Sequence, residues 1–385
     1  MKQLAYEFLS HPKIASGTCS LESIPAELAC NDAGKPLVVT SREASRRGLG
    51  GALVRAFADS DCLLGGIYDE VRDYAGISLI RQAADLFVQR GCDALIALGG
   101  GAVVEVARAV NILVSENTED LFSYFAGQSL PGQLKPLVWI PACRVDGTEP
   151  GKTITVEHRR LSSEIFIPDV IVIDKRMTPA KSRRSASESA VLAIDNALAA
   201  LLDDEPGPMK DAFVHASLSF ISNSLGEFVR RPANRKHSHA VISAGVLAGI
   251  AAANADPGLV RVLSEELEKE TEVSRAVFAG ILLPAFLGSM QQGEDPVREE
   301  LLLAAAGMDV YAKTPPEKRS EKGVETVCAL LGEAKRALPA SLEALSIPYY
   351  RLEKACESAA SRLDARYSGQ QFMTVLELAE KGGLQ

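Results

Sequence analysis

Short β-rich segments alternate with helical patterns in the first part of this 385-residue chain, and the β-rich segments then stop. They lie at residues 36–40, 62–68, 92–98, 137–140 and 170–173. From about Lys181 onward the periodic segments all have helical spacing. Strands separated by helices indicate βαβ units and a parallel sheet. The pattern therefore predicts an α/β domain with a parallel sheet over residues 1–180, followed by an all-α domain over residues 181–385.

The charge balance and hydropathy of the chain exclude two classes of partner. Fifty acidic and 41 basic residues give a net charge of −9, and a surface with that balance repels phosphate backbones. The small-apolar segment at residues 240–253 is short for a membrane span and contains serine and glycine. We therefore expect neither a nucleic-acid partner nor a membrane partner.

The cysteines and the N-terminal residues both favour a cytoplasmic protein. Seven scattered cysteines without a CxxC pair are typical of reduced thiols in a cytoplasm. The N-terminal residues lack the basic and apolar regions of a signal peptide. We also expect a homo-oligomer, with a dimer as the first expectation.

Three consecutive glycines, Gly99, Gly100 and Gly101, follow one of the β-rich segments, and a helical pattern begins directly after them. Glycine lets the backbone approach a phosphate closely, and the free N–H groups of a helix N-terminus favour an anion. The segment therefore predicts a phosphate-binding turn. The alternative is a tight strand–helix turn without a ligand. The segment is neither a Walker loop nor a GxGxxG motif.

The residues from Gly99 to Val110 resemble the GGGSxxDxAKA signature of the iron-containing (group III) alcohol dehydrogenase family. Further similar segments follow in the family's order, at residues 13–17, 140–149, 167–178, 193–201, 246–251 and 279–284. The resemblance implies a Rossmann-like dinucleotide-binding domain and a helical domain that holds metal and substrate. It also implies an NAD(P)-linked alcohol dehydrogenase or reductase that acts on a small alcohol or carbonyl compound.

The chain departs from the family at the positions that hold the divalent metal. The resemblance implies one Asp and three His ligands. Asp195 is retained, whereas the histidine positions carry Ala199, Arg261 and Arg275. Glu265 stands where the family has a further histidine beside the nicotinamide. Because one carboxylate does not hold Fe²⁺ or Zn²⁺ against water, we expect no metal at this site.

The resemblance makes Asp195, Arg261, Glu265 and Arg275 the candidate catalytic residues. A guanidinium keeps its charge and can hold a carboxylate with two hydrogen bonds. The two arginines can therefore bind an anionic small-molecule substrate or polarise a carbonyl group in the cleft between the expected domains. The alternative is a structural ion-pair cluster that closes an inactive cleft.

The residues that the family places around the dinucleotide have changed in part. The candidate cofactor-binding residues by position are Ser41, Gly99, Gly100, Gly101, Glu105, Ala142, Cys143, Gly147 and Thr148. Ala102, Ala142 and Cys143 replace hydroxyl-bearing residues at the pyrophosphate, and we interpret Cys143 as a buried thiol rather than a nucleophile. Ser41 is followed by Arg42, and this pair favours NADP slightly over NAD.

Two functions are consistent with these changes. The first is a metal-independent NAD(P)-linked oxidoreductase, since the maleylacetate reductases resemble this family and work without a catalytic metal. The second is a catalytically inactive member that serves as a nucleotide-binding or partner subunit. We favour the enzyme. Its proton donor would have to be a tyrosine, a lysine, water or Glu265.

Overall fold

The computed structural model describes residues 6–10, 12–72, 74–130, 132–142, 144–180, 182–205, 207–292, 297–363, 367 and 369–380. The chain forms two compact units. The sheet unit comprises Ser10–Lys181 and Ala233–Ile242. The helical unit comprises Met1–Leu9, Ser182–Pro232 and Ser243–Gln385. The domain limits expected from the sequence, residues 1–180 and 181–385, stay a prediction.

The sheet unit contains a six-stranded parallel sheet and a two-stranded hairpin. The strands are β1 Lys13–Gly17, β2 Pro36–Ser41, β3 Gly66–Val71, β4 Ala94–Leu98, β5 Leu137–Ile140, β6 Thr153–Val156, β7 Arg159–Ser162 and β8 Val170–Asp174. The parallel sheet has the order β1-β8-β5-β4-β2-β3, and β6 pairs with β7 in an antiparallel hairpin. The predicted parallel α/β fold is confirmed, whereas the hairpin was not expected from the sequence.

Burial explains why the central strands form where they do. All residues of β4, β5 and β8 are buried, as expected for parallel strands with helices on both faces. The helices of this unit before residue 181 are α1 Ile24–Ala29, α2 Arg42–Arg46, α3 Leu49–Ala56, α4 Ile77–Arg90, α5 Ala102–Glu116 and α6 Phe122–Phe125. The strand expected at 62–68 begins only at Gly66. Before it, the N–H groups of Leu63 and Gly65 donate to the carbonyl oxygens of Gly34 and Pro36.

The strand order reverses between β2 and β4. From β2 the chain first adds β3 on one side and then returns to add β4 on the other side. The register places Thr40 opposite Leu98, so Ser41, the last residue of β2, and Gly99, which follows β4, lie at neighbouring strand ends. Open α/β sheets bind their ligands outside the carboxyl ends of the strands at such a reversal. The fold therefore brings the ends of β2 and β4 to the edge where a cofactor is expected.

The described residues of the helical unit contain no strand. The helices are α7 Arg183–Leu201, α8 Pro208–Arg230, α9 Arg235–Ala253, α10 Leu259–Thr271, α11 Arg275–Gln292, α12 Glu300–Ala306, α13 Met308–Lys313, α14 Pro316–Ala334, α15 Tyr349–Arg362 and α16 Gly369–Glu380. The first residues of α9 belong to the sheet unit. Helix α7 starts at a capping box between Ser182 and Ser185 and is buried along most of its length. None of the described helices combines the length and the apolar character that a membrane crossing requires.

Candidate active site

The glycine turn, Gly99–Gly101, connects β4 to α5 and is held by two buried donors. Gly99 and Gly101 have φ angles of 149° and 51°, which favour glycine. The Thr40 hydroxyl donates to the Leu98 carbonyl at 2.7 Å, and the Trp139 Nε1–H donates to the Gly99 carbonyl at 2.6 Å. Both donors are fully buried, so the end of β4 and the start of the turn have a fixed position.

The segment from Arg144 to Glu149 packs directly on the glycine turn. A Cβ atom at Gly100 would collide with the carbonyl oxygen of Arg144 and would lie 2.7 Å from Glu149 Oε1. Glu149 Oε1 accepts the Gly101 N–H at 3.0 Å, and its Oε2 accepts the Gly147 N–H at 2.7 Å. The glycines are therefore required by packing within the chain itself. Arg144 is paired with Asp146, with 2.7 Å from Nε to Oδ1.

The amino end of α5 keeps the capacity to bind an anion. No hydrogen-bond partner for the N–H groups of Gly100 and Ala102 occurs among the described residues. Helix α5 has 15 residues, and the positive end of its dipole lies at these two groups. Helix amino ends of this kind commonly bind phosphate groups, although here the carboxylate of Glu149 already accepts the Gly101 N–H.

Glu105 and Arg108 fix the segment that follows Glu149 to helix α5. Glu105 Oε2 accepts the Thr155 N–H at 2.6 Å. Burial raises the pKa of Glu105 to about 7, and the positive charge of Arg108 opposes that rise. Arg108 is itself buried and donates to the carbonyl oxygens of residues 149, 151, 153 and 166. The Glu105 side chain therefore binds the β6–β7 hairpin rather than the glycine turn.

The side chains of Ser41 and Arg42, near the ends of β2 and β3, already have partners within the protein. The Ser41 hydroxyl accepts the Ala44 N–H at 3.3 Å and caps helix α2. Arg42 forms an ion pair with Glu70 of β3, and both side chains are exposed. The positive charge that favoured NADP in the sequence is therefore balanced by a carboxylate.

The remaining cofactor candidates follow β5. Ala142 is buried, and its carbonyl accepts the Arg144 N–H at 2.7 Å. The Thr148 carbonyl accepts the Gly151 N–H at 3.0 Å, so this residue closes a turn. Cys143 lies outside the described residues.

The four candidate catalytic residues lie together in the helical unit. Helix α7 contributes Asp195, α10 contributes Arg261 and Glu265, and α11 contributes Arg275. Arg275 Nη1 lies 3.5 Å from Asp195 Oδ2, and their side chains are only 7% and 2% exposed. Burial raises the pKa of Asp195, while the positive charge of Arg275 opposes the rise.

Glu265 is shared by two guanidinium groups. Its Oε1 lies 3.3 Å from Arg261 Nε, and its Oε2 lies 2.8 Å from Arg362 Nη2. The Nη1 of Arg261 lies 3.5 Å from Asn196 Oδ1. Arg362 also contacts Glu266. The cluster therefore extends through α15 into a chain of alternating charges.

A small cavity adjoins this cluster. Its lining includes Asp195, Ala199 and Arg261, three of the residues that the family resemblance singled out. The other lining residues are Leu198, Leu202, Gly258, Leu259, Val260, Leu283, Phe286 and Tyr367. Sequence reasoning missed Asn196 at the cluster and Tyr367 in the cavity wall.

Comparison with known proteins gives the same assignment along nearly the whole chain. A model of iron-containing alcohol dehydrogenases matches residues 11–175, and a model of the C-terminal part of that family matches residues 188–377. The NAD-dependent methanol dehydrogenase of Bacillus methanolicus is 23% identical over 283 residues, which are 72% of this chain and 74% of that protein.

Two solved structures share the fold. The structure of 1,3-propanediol oxidoreductase has a TM-score of 0.84 at 17% identity and covers 97% of this chain and 100% of its own. The sulfoacetaldehyde reductase of Bifidobacterium kashiwanohense, solved with NAD⁺, has a TM-score of 0.82 at 15% identity and covers 98% and 99%. Because the two family models together span most of the sequence, the chain belongs to the iron-containing alcohol dehydrogenase family of oxidoreductases.

Proposed function

We propose that this protein is a metal-independent NAD(P)-linked oxidoreductase that interconverts a small alcohol and the corresponding carbonyl compound. Membership of the family supports the reaction class. The observation that carries the metal independence is the ion pair between Asp195 and Arg275, at 3.5 Å. It places a permanent cation beside the carboxylate that the family uses as a metal ligand.

The residues at this site do not fit a divalent metal ion. Ala199 has no donor atom, and the guanidinium groups of Arg261 and Arg275 offer protons rather than lone pairs. Their charges also oppose the entry of a dication. Among the described residues, no group of three or more histidine, cysteine, aspartate or glutamate side chains is arranged to hold a metal. The reaction is therefore proposed without a metal step.

The glycine turn supports the cofactor part of the proposal. The N–H groups of Gly100 and Ala102 can hold one phosphate group at the amino end of α5. When bound there, NAD(P)H supplies the hydride for carbonyl reduction. Two relatives support a nicotinamide cofactor, since one is named an NAD-dependent methanol dehydrogenase and the other was solved with NAD⁺. The Arg42–Glu70 pair supports no preference for NADP, so both cofactors belong to the proposal.

Tyr367 is the proton donor in this proposal. Reduction of a carbonyl group requires a proton at the oxygen, and the titratable lining residues of the cavity are Asp195, Arg261 and Tyr367. Asp195 lies in the pair with Arg275, and Arg261 does not release its proton. Tyr367 lines the cavity and carries a hydroxyl group, and in this proposal that group gives its proton to the carbonyl oxygen.

The experiment combines a metal analysis with steady-state oxidation of NADH and NADPH by small aldehydes. We expect substoichiometric iron and zinc, and activity that survives exhaustive chelation. Tyr367→Phe should lower kcat by about 10²- to 10⁴-fold. Tyr74→Phe, at an exposed tyrosine of the sheet unit, is the matched control. Stoichiometric metal that disappears in Asp195→Ala, with activity restored by that metal, would contradict the metal-independent proposal.

A further inference from the structure

We infer that Asp146 lowers the affinity of the glycine turn for the phosphate groups of the cofactor, because its carboxylate places a negative charge beside the turn. This inference rests on the proposed function, since it concerns the phosphate site that the proposed reaction uses. Three observations carry it: the position of the Asp146 carboxylate against Gly101, its pairing with Arg144, and the separate binding of the Glu149 carboxylate by backbone N–H groups.

The Asp146 carboxylate lies directly against the glycine turn. Its Oδ2 atom lies 2.6 Å from the position that a Cβ atom on Gly101 would occupy. Three covalent bonds join that position to the nitrogen of Ala102, so the carboxylate oxygen lies within about 7 Å of the Ala102 N–H group. This N–H group and that of Gly100 have no hydrogen-bond partner among the described residues. The negative charge therefore lies beside the donors that the proposed function assigns to a phosphate group.

The guanidinium group of Arg144 holds this carboxylate in place. Arg144 Nε lies 2.7 Å from Asp146 Oδ1, and its Nη2 lies 3.2 Å from Oδ2. Such two-point pairing fixes the orientation of both groups. The arginine side chain is 41% exposed, whereas that of Asp146 is only 15% exposed. The two N–H groups that bind Asp146 cannot bind a phosphate at the same time, so Asp146 both repels the ligand and occupies a neighbouring cation.

Glu149, the second carboxylate at the turn, differs from Asp146 in how its charge is compensated. It is 1% exposed and accepts the backbone N–H groups of Gly101, Asp146 and Gly147 at 3.0, 2.8 and 2.7 Å. These bonds make Glu149 part of the framework of the turn. Burial raises the pKa of Glu149, and the negative charge of Asp146 raises it further. Asp146 therefore already acts on one anionic group at the turn, and a bound phosphate would experience the same repulsion.

The test measures the affinity of the full chain for NADH and for inorganic pyrophosphate by calorimetry. Asp146→Asn keeps the size of the side chain and removes its charge. Both affinities should rise by about 3- to 30-fold, because the removed charge lies within the screening length of about 8 Å at physiological salt. Arg144→Met should lower both affinities, because it leaves the charge of Asp146 without its partner. A purely structural role of the ion pair predicts changes of the same sign in both variants.

Asp61→Asn is the matched control, because it makes the same change of charge at an exposed residue of the same unit. Asp61 precedes β3, whereas the glycine turn follows β4, and both strands run parallel to β2. The two sites therefore lie at opposite edges of the sheet, and the control should leave both affinities unchanged. Thermal unfolding shows whether each variant is folded. Asp146→Ser gives a second variant without the charge if Asp146→Asn does not fold.

Pyrophosphate separates this inference from the proposed function, because it tests the anion site without the nicotinamide. Tighter pyrophosphate binding in Asp146→Asn supports the inference even if no variant oxidises NADH. Equal affinities of the wild-type protein and Asp146→Asn for both ligands would overturn the inference, and NADH turnover would then leave the oxidoreductase proposal intact. A weaker affinity in Asp146→Asn would also overturn it. Absence of binding of either ligand to every variant would overturn both proposals.

Discussion

The glycine turn of the sheet unit and the Asp195 cluster of the helical unit are built from different kinds of group. At the turn, the N–H groups that face Glu149 and begin helix α5 belong to the backbone. At the cluster, the contacts are made by the side chains of Asp195, Arg261, Glu265 and Arg275. A site made from backbone groups tolerates lost side chains, whereas a site made from side chains changes its chemistry with them.

The two regions also differ in what holds them together. The turn is fixed by hydrogen bonds from buried donors and by close backbone packing against residues 144–149. The cluster is fixed by ion pairs, two of whose members are almost fully buried. Removing one partner of a buried ion pair leaves an uncompensated charge. We therefore expect the cluster to respond most strongly to changes of charge, and the turn to changes of volume.

The largest effect should follow from Arg275→Met. This change leaves Asp195, which is 2% exposed, without its partner and should lower the free energy of unfolding by about 3–5 kcal/mol. Arg336→Met, at an exposed pair with Glu333, should cost less than about 1 kcal/mol. Denaturant unfolding measures both values.

The pH dependence of the stability of the Arg275→Met variant shows whether the loss comes from the charge of Asp195. Burial already raises the pKa of Asp195 against the charge of Arg275, and the variant removes that opposition. A carboxyl group whose pKa is raised by folding binds its proton more tightly in the folded state. Stability is therefore lost as the pH rises above about 4, the ordinary value for aspartate. The double variant with Asp195→Asn should recover part of the loss. No recovery would show that the arginine acts through packing alone.

The second prediction concerns added volume at the glycine turn. Gly100→Ala places a Cβ against the carbonyl oxygen of Arg144 and the carboxylate of Glu149. It should lower the free energy of unfolding by about 2–4 kcal/mol and weaken NADH binding. Gly34→Ala is the control, because no atom lies within 4 Å of the new Cβ. Equal effects of the two substitutions would contradict the close packing of the turn.

The fold could be predicted from the sequence wherever burial determines it. Strands β4, β5 and β8 are continuous apolar segments with all residues buried. The β6–β7 hairpin was missed because its turn residues, Glu157 and His158, adopt positive φ angles of 47° and 66°. Turns of this kind usually carry asparagine or glycine, so the sequence contained no clear signal.

The candidate site was predictable only where the family resemblance supplied the positions. It identified Asp195, Arg261 and Arg275, which the structure brings together. It did not identify Arg362, which contacts Glu265 from 97 residues away, or Tyr367 in the cavity wall. Long-range contacts of this kind depend on helix packing that no local pattern encodes. A polar residue in a buried segment, such as Arg108 in α5, is a sequence signal that could have indicated a long-range contact.

A smaller effect should appear in the pH dependence of stability at Glu105. Burial raises the pKa of this residue from 4.5 to about 7, so the folded state retains a proton that the unfolded state has lost. The free energy of unfolding should therefore fall as the pH rises from about 4.5 to about 7, by up to about 3 kcal/mol. Glu105→Gln should reduce this slope relative to the wild-type protein. An unchanged slope would show that the hydrogen bond from the Thr155 N–H keeps the carboxylate ionised in the folded state.

The smallest effect concerns the choice between NADH and NADPH. Arg42 and Glu70 form an exposed ion pair where neighbouring strands β2 and β3 end, with side chains that are 58% and 39% exposed. Glu70→Gln removes the carboxylate and leaves Arg42 able to contact a 2′-phosphate. Exposed pairs contribute little, so the ratio of NADPH to NADH affinity should rise by up to about fivefold. Glu27→Gln, at another exposed pair with Lys13 of β1, should leave the ratio unchanged. Fluorescence titration with both cofactors measures the ratio directly, and salt should reduce the shift because screening weakens exposed charges. A ratio that does not move in Glu70→Gln would place the adenosine ribose away from the ends of β2 and β3, while leaving the phosphate site at the glycine turn untouched.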